Sequence, residues 1–247
     1  MRPTRAAVGR GVPTLEGVTT ATDLRALAAD ADAQLQAASA QDVIRWAADT
    51  FGDRLVVTTS MGDGLLSHLV SQVVPGIEVV FLDTGYHFAE TIGTRDAVAA
   101  TYDIRLRSVQ PLLTVAAQDA QYGRDLFARD PDACCRMRKV EPLDGALQGY
   151  DAWISGNRRD ESPERADTPV VGFNERRGKV TIHPVATWTG KQVQDYLDAH
   201  HILVNPLQDE GYLSIGCAPC TRAVAPGEDA RAGRWAGTTK TECGIHT

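Results

Sequence analysis

Five cysteines carry the strongest chemical signal in this chain of 247 residues. Four fall into two groups, the adjacent pair Cys134-Cys135 and the spaced pair Cys217-Ala218-Pro219-Cys220. The fifth, Cys243, stands four residues from the last residue, where a thiol is expected to lie outside any packed core. The pattern implies a division of labour, with four thiols holding a cofactor and one free to react. Thiolates bind zinc and iron–sulfur clusters. Structural zinc sites are usually built from two CxxC knuckles, and an adjacent pair suits that geometry poorly. Adjacent ligands on a helix can instead reach neighbouring irons of a larger cluster, so the spacing favours an iron–sulfur cluster and leaves zinc open. Lys139, one helical turn past Cys135, sets a positive charge beside bound thiolates. A thiolate at Cys243 would be a nucleophile, with His246 three residues on as a neighbour. A redox-sensing or merely unpaired thiol fits the same position.

These residues need elements to position them. Residues 22–52 have helical apolar spacing, and residues 55–59 (Leu-Val-Val-Thr-Thr) read as a buried strand. Ser60-Met61-Gly62-Asp63-Gly64 follows, and then a helical face of Leu65, Leu66, Leu69 and Val70. A strand, a small-residue loop and a helix offer backbone N–H groups to an anion. An ordinary turn capped by Asp63 fits equally well, because the loop matches neither the P-loop nor the dinucleotide fingerprint. Residues 77–82 form a second strand ending in Asp83-Thr84-Gly85, residues 88–100 a helix, and residues 104–106 a short third strand. Such alternation predicts an α/β domain with a mainly parallel sheet flanked by helices, whose ligands sit at the carboxyl ends of the strands.

Further on, residues 111–121 and 132–147 are expected to be helical, the second stretch carrying Cys134, Cys135 and Lys139. Residues 153–156 end another strand. They lead into Asn157-Arg158-Arg159-Asp160-Glu161-Ser162-Pro163-Glu164-Arg165, an anion-binding loop by its position and arginine content. Residues 178–183 read as a strand, and Thr189 to Gln192 fit a capping box that opens a helix through about residue 200. Residues 211–221 loop around the second cysteine pair. No apolar period survives beyond Pro226. Three segments result: a disordered leader over 1–22, the α/β domain over 23–225, and a mobile C-terminal segment over 226–247 that carries Cys243.

Composition narrows the function classes. The formal net charge of -7 argues against a general nucleic-acid binder. Arginines are nonetheless clustered, with Arg158, Arg159, Arg165, Arg176, Arg177 and Lys179 in one stretch and Arg222, Arg231 and Arg234 in another. That distribution suits a small anionic ligand in one pocket. No apolar run is long enough to span a membrane, and the arginine-bearing start lacks the hydrophobic region of a secretory signal. A transit peptide is the other reading of that start. Cysteines without a secretion signal point to a reducing, cytoplasmic setting.

With these residues in place, the sequence resembles the assimilatory adenylyl-sulfate (adenosine 5′-phosphosulfate) reductases, relatives of the phosphoadenylyl-sulfate reductases. The motifs run in order over roughly residues 55–246. They are Leu82-Asp83-Thr84-Gly85-Tyr86-His87, Cys134-Cys135 with Arg138-Lys139, and Gly156 to Ser162 with Arg165. Gly216-Cys217-Ala218-Pro219-Cys220-Thr221, Gly233-Arg234-Trp235 and Lys240-Thr241-Glu242-Cys243-Gly244-Ile245-His246 complete them. The resemblance implies a PP-loop, adenine-nucleotide α-hydrolase-like fold and a [4Fe–4S] cluster on Cys134, Cys135, Cys217 and Cys220 that is not itself the electron donor. It implies that Cys243 attacks the sulfur of adenosine 5′-phosphosulfate, AMP leaves, and thioredoxin releases sulfite from the resulting S-sulfocysteine. It further implies that Lys139 lies beside the cluster and that Thr59, Ser60 and Leu82 receive the nucleotide. Arg158, Arg159, Arg165, Arg231 and Arg234 would meet the phosphosulfate. The chain departs from the family's usual nucleotide loop, a Ser-Phe start with a Glu-Asp pair, by placing Gly62 where the glutamate stands.

The four paired cysteines generally accompany adenylyl sulfate in that family, and enzymes without them generally take the 3′-phosphorylated form. The resemblance therefore favours adenylyl sulfate, with the 3′-phosphorylated substrate or dual use as the alternative. A non-catalytic cluster-bearing nucleotide sensor would need neither Cys243 nor the arginine loop. An ATP-pyrophosphatase relative would leave the tail cysteine unexplained. A homo-oligomer is compatible with the sequence.

Overall fold

The structure, a computed structural model, describes residues 20–238 and 240–245. The expected leader therefore lies outside the described residues up to residue 19, and His246 lies outside them too. Residues 21 and 22 already belong to the first helix. Thr20 caps α1 (Ala21–Leu35) with its side chain on the Asp23 N–H, and Asp23 returns the bond in a capping box. Helix α2 (Ala40–Phe51) follows from an N-cap at Ser39.

Six strands build one sheet: β1 (Leu55–Thr59), β2 (Ile77–Leu82), β3 (Ile104–Val109), β4 (Ala152–Ile154), β5 (Val171–Asn174) and β6 (Lys179–Ile182). Their order is β3-β2-β1-β4-β6-β5, parallel except for β5, which pairs antiparallel with β6. The β1 and β2 strands are joined by α3 (Leu65–Val73), and β2 and β3 by α4 (Ala89–Thr101). Both sheet faces are covered, as a parallel sheet requires. On one face Val57, Val79, Ile154 and Ile182 join Leu24, Ile44 and Leu69. On the other, Val56, Val80 and Trp153 meet Leu143 and Leu147. Among the described residues no helix is long and apolar enough to cross a membrane.

Three local expectations change. The helix placed over 111–121 starts at Val115, where Thr114 caps α5 (Val115–Tyr122). The stretch 132–147, read as one or two helices, holds two short ones rather than one regular run. After the short α6 (Leu126–Arg129), α7 (Pro131–Cys135) passes through a π turn (Arg136–Val140) into α8 (Glu141–Ala146). Strand β5 was not expected, because its hydrophobic run is short and bounded by polar residues. The capping box at Thr189 is present and opens α9 (Gly190–Ala199).

Candidate active site

The carboxyl ends of β1, β2 and β4 open onto a cleft of about 480 Å³. Thr59 and Ser60 line it from the loop after β1, and Leu82 from the end of β2. The loop holds a buried Met61 at a φ of 59°, in the left-handed region that non-glycine residues rarely adopt. Backbone strain of that kind collects at ligand-binding turns. Gly64, not Asp63, is the N-cap of α3, while the Asp63 carboxylate accepts from the Leu65 N–H at 2.9 Å. Burial pushes the Asp63 carboxyl up, and the Leu65 N–H and Arg158 work against that. Where the sequence lacks a glutamate at Gly62, Gln208 donates to the Gly62 carbonyl at 2.8 Å and lines the cleft itself.

Five cations reach this cleft: Lys139, Arg158, Arg165, Arg231 and Arg234. They divide by partner. Arg165 is engaged by Asn157 (3.0 Å), Glu161 (2.7 Å) and both oxygens of Glu242 (2.8 and 3.0 Å). Arg231 meets the Thr241 carbonyl and Glu242, each at 3.0 Å. By contrast, Arg234 Nε is buried without a hydrogen-bond partner among the described residues, and Arg158 Nη1, also buried without a hydrogen bond, forms an ion pair with Asp160 at 3.3 Å. Buried donors of that kind call for a partner, and an anion in the cleft would supply it.

Arg159, expected at the substrate, does not line the cleft. The chain turns after Arg158, so the Arg159 guanidinium faces away and donates to the Thr168 carbonyl (2.8 Å) and to Gln36 beyond α1 (2.9 Å). The basic stretch 176–179 is also used elsewhere. Arg176 and Arg177 clamp Asp144, and Lys179 bonds the Tyr150 carbonyl.

Cys243 lines the same cleft and is only 8% exposed, packed with Cys135 and Trp235. The expectation that so terminal a thiol stays out of the core does not hold, because anchors on either side dock the tail. Glu242 is held by Arg165 and Arg231, and the Ile245 carbonyl accepts from Arg177 at 2.9 Å. The Ile245 side chain rests against the cluster containing Leu143 and Trp153. Upstream, the Trp235 N–H donates to the Cys220 carbonyl and the Arg222 N–H to the Gly233 carbonyl, strapping residues 222–235 to the cysteine loop. Glu242 and Trp235 had no role assigned from sequence. The signal for Glu242 was an acid placed directly before the thiol.

Cys134, Cys135, Cys217 and Cys220 line a second, small cavity with Tyr86, Phe127, Pro131 and Trp235. The π turn sets Arg138 and Lys139 on its wall, a use of π geometry common at functional sites. The Thr84 hydroxyl lies 3.3 Å from Cys217 Sγ. Burial, then the neighbouring thiolates, push Cys134 up to about 12 and Cys220 up to about 11. Among the described residues, no three His, Cys, Asp or Glu side chains converge on a single metal ion. Burial alone would lower the Lys139 ammonium, but Cys217, Cys243 and Cys135 outweigh it and hold the group above its ordinary value.

Residues 54–223 match the phosphoadenosine phosphosulfate reductase domain family. The chain is 59% identical over 227 residues to an adenosine 5′-phosphosulfate reductase of Streptomyces coelicolor, covering 92% of this chain and 96% of that one. It is 54% identical over 231 residues to the protein of the same name from Mycolicibacterium smegmatis, covering 93% and 98%. Among solved structures, it resembles a phosphoadenylyl-sulfate reductase of Candida auris in a phosphate complex. That match has a TM-score of 0.69 and 28% identity, and covers 80% of this chain and 96% of that one.

Proposed function

The chain belongs to the phosphoadenosine phosphosulfate reductase domain family, and from that premise we propose that it is an oxidoreductase that reduces adenosine 5′-phosphosulfate to sulfite and AMP. Thioredoxin is the reductant, and the setting is cytoplasmic sulfate assimilation towards cysteine. One observation carries this reading: the Cys243 thiol and the buried guanidinium atoms of Arg158 and Arg234 that make no hydrogen bond among the described residues face one cleft at the strand ends.

The chemistry follows from those groups. The Cys243 thiolate attacks the sulfur of the sulfo group. An S–S bond forms, the S–O bond to the phosphate breaks, and AMP leaves with the electron pair. Lys139, Arg158 and Arg234 offset the repulsion between thiolate and phosphosulfate and stabilise the charge that grows on the leaving phosphate. A thioredoxin thiolate then attacks Cys243 Sγ and sulfite departs with the S–S electron pair. The second thioredoxin thiol closes its disulfide and frees Cys243. Sulfur falls from the sulfate to the sulfite level while two thiols are oxidised. The tail must open between the two attacks to admit a protein.

Cys134, Cys135, Cys217 and Cys220 would hold a [4Fe–4S] cluster. Support comes from four thiols around one small cavity, a hydroxyl beside Cys217, and Arg138 and Lys139 as nearby cations. When bound, the cluster would join the helix of the adjacent pair to the CxxC loop, while the electrons come from thiols.

Peptide-mapped mass spectrometry of anaerobic protein mixed with adenosine 5′-phosphosulfate, without reductant, tests the reading. One SO₃ on Cys243, released as sulfite by thioredoxin, is the expected result. An adduct formed only from the 3′-phosphorylated substrate would reassign the substrate, and none from either would leave the sensor reading.

A further inference from the structure

The contact between the tail and the arginine pair has a consequence for how the cleft works. Glu242 precedes the thiol directly and its carboxylate is held at three points. Both oxygens lie on Arg165, at 2.8 and 3.0 Å, and one of them is also 3.0 Å from Arg231. The three side chains are largely buried, 22% exposed for Glu242, 14% for Arg165 and 12% for Arg231. A fork of guanidinium donors recognises a carboxylate, a phosphate or a sulfate by the same oxygen geometry. Both arginines also line the cleft in which Arg158 and Arg234 keep buried donors that make no hydrogen bond among the described residues. The tail thus supplies its own anion to part of an anion site.

We propose that Glu242 is a positioning residue that docks the Cys243 tail in the substrate-free protein by occupying Arg165 and Arg231, and that the substrate's anionic groups compete with it for that pair. Docking and anion binding are then linked. An arriving phosphosulfate loosens the Glu242 contact, while the Ile245–Arg177 contact keeps the tail near the cleft. Reciprocally, a docked Glu242 weakens the hold on the anion by the same factor. The kinetic part of this inference rests on the reading of Cys243 as nucleophile; the docking part does not.

Glu242→Gln keeps the shape of the side chain and removes its charge, and Glu242→Asp keeps the charge on a shorter arm. In cluster-loaded, substrate-free protein, Glu242→Gln should raise the rate of Cys243 alkylation by iodoacetamide, read by peptide mapping, by about tenfold. In a Cys243→Ser background, which binds without turnover, Glu242→Gln should tighten binding of adenosine 5′-phosphosulfate by roughly threefold or more. In single turnover at saturating substrate, sulfonation of Cys243 in Glu242→Gln should slow by about tenfold. Glu242→Asp should fall between Gln and the native residue in all three. Tighter binding with slower chemistry is a split that general loss of structure would not produce. Unchanged alkylation together with weaker binding would overturn the proposal and make Glu242 a plain structural or substrate-side contact. A faster alkylation in a protein whose native form never gains SO₃ would uphold the docking role and sink the reductase reading instead.

Discussion

Lys139 carries its ammonium 6.0 Å from the centre of the Trp235 ring, and both side chains line the cleft and the four-cysteine cavity at once. Trp235 also faces Arg234 at 4.5 Å and Lys240 at 5.7 Å, so one indole gathers three cations. Its backbone holds a φ of 47° and its side chain is 4% exposed, a conformation kept by packing rather than by preference. Trp235→Ala should remove the ring and its packing at a cost of about 3 kcal/mol. The loss should appear as faster hydrogen exchange over residues 222–245 together with weaker binding of adenosine 5′-phosphosulfate. Trp235→Phe keeps an aromatic face and should recover most of both. Unchanged exchange and affinity in Trp235→Ala would deny the ring its organising role.

Adjacent arginines should behave differently. Arg158→Ala removes from the cleft a buried donor that makes no hydrogen bond among the described residues, and should raise KM by roughly tenfold to a hundredfold, the worth of one charge-assisted hydrogen bond to substrate. Arg159→Ala removes a bond to Thr168 and Gln36, away from the cleft. It should leave kcat and KM within about twofold and lower stability by no more than about 1 kcal/mol. Steady-state kinetics on the two variants decides, and equal losses would return Arg159 to the substrate.

Gly233 is fixed by close backbone approach. A Cβ there would stand 2.1 Å from the Arg222 carbonyl oxygen, where Arg222 N–H and Gly233 C=O pair. Gly233→Ala should therefore break the crossing and displace Arg234, raising KM by about tenfold while the core keeps its near-UV circular dichroism. A native KM would show that the crossing can shift without moving Arg234.

Much of this architecture was legible in the sequence. The β-branched runs at 55–59 and 77–82 are strands because both faces are buried, and buried parallel strands read as continuous apolar stretches. Lys139, Arg158, Arg165, Arg231, Arg234 and Cys243 do meet in one cleft. Direction was not legible. Arg158 and Arg159 differ by one position, and only the turn of the chain after β4 decides which of them faces the cleft. The π turn at residues 136–140 escaped a reading based on the regular helical period. The docked tail escaped because two of its anchors, Arg165 and Arg177, lie far from it in sequence, and the third, Arg231 within the same segment, leaves no local periodic signal.

His183 offers a pH test of the core beneath the cleft. It is 4% exposed, and its Nδ1 lies 2.9 Å from the hydroxyl of Ser155, a residue that lines the cleft. Burial first, then the charge of Arg165, lower the imidazole to about 4 from 6.5, against the opposing bond with Ser155. The unfolded chain takes up this proton near 6.5 and the folded chain only near 4. Stability from this group is therefore full above the unfolded value and is lost as pH falls between the two. The loss amounts to roughly 3 kcal/mol at most. His68 and His87, also held low first of all by burial, add to the native slope in that window. The difference between proteins therefore isolates His183. Urea midpoints taken from about pH 7 to about pH 5 should fall less steeply for His183→Gln than for the native chain. Parallel slopes would mean that His183 takes up its proton at the same pH in the folded and unfolded chain, and that the Ser155 pair is not the buried neutral contact described.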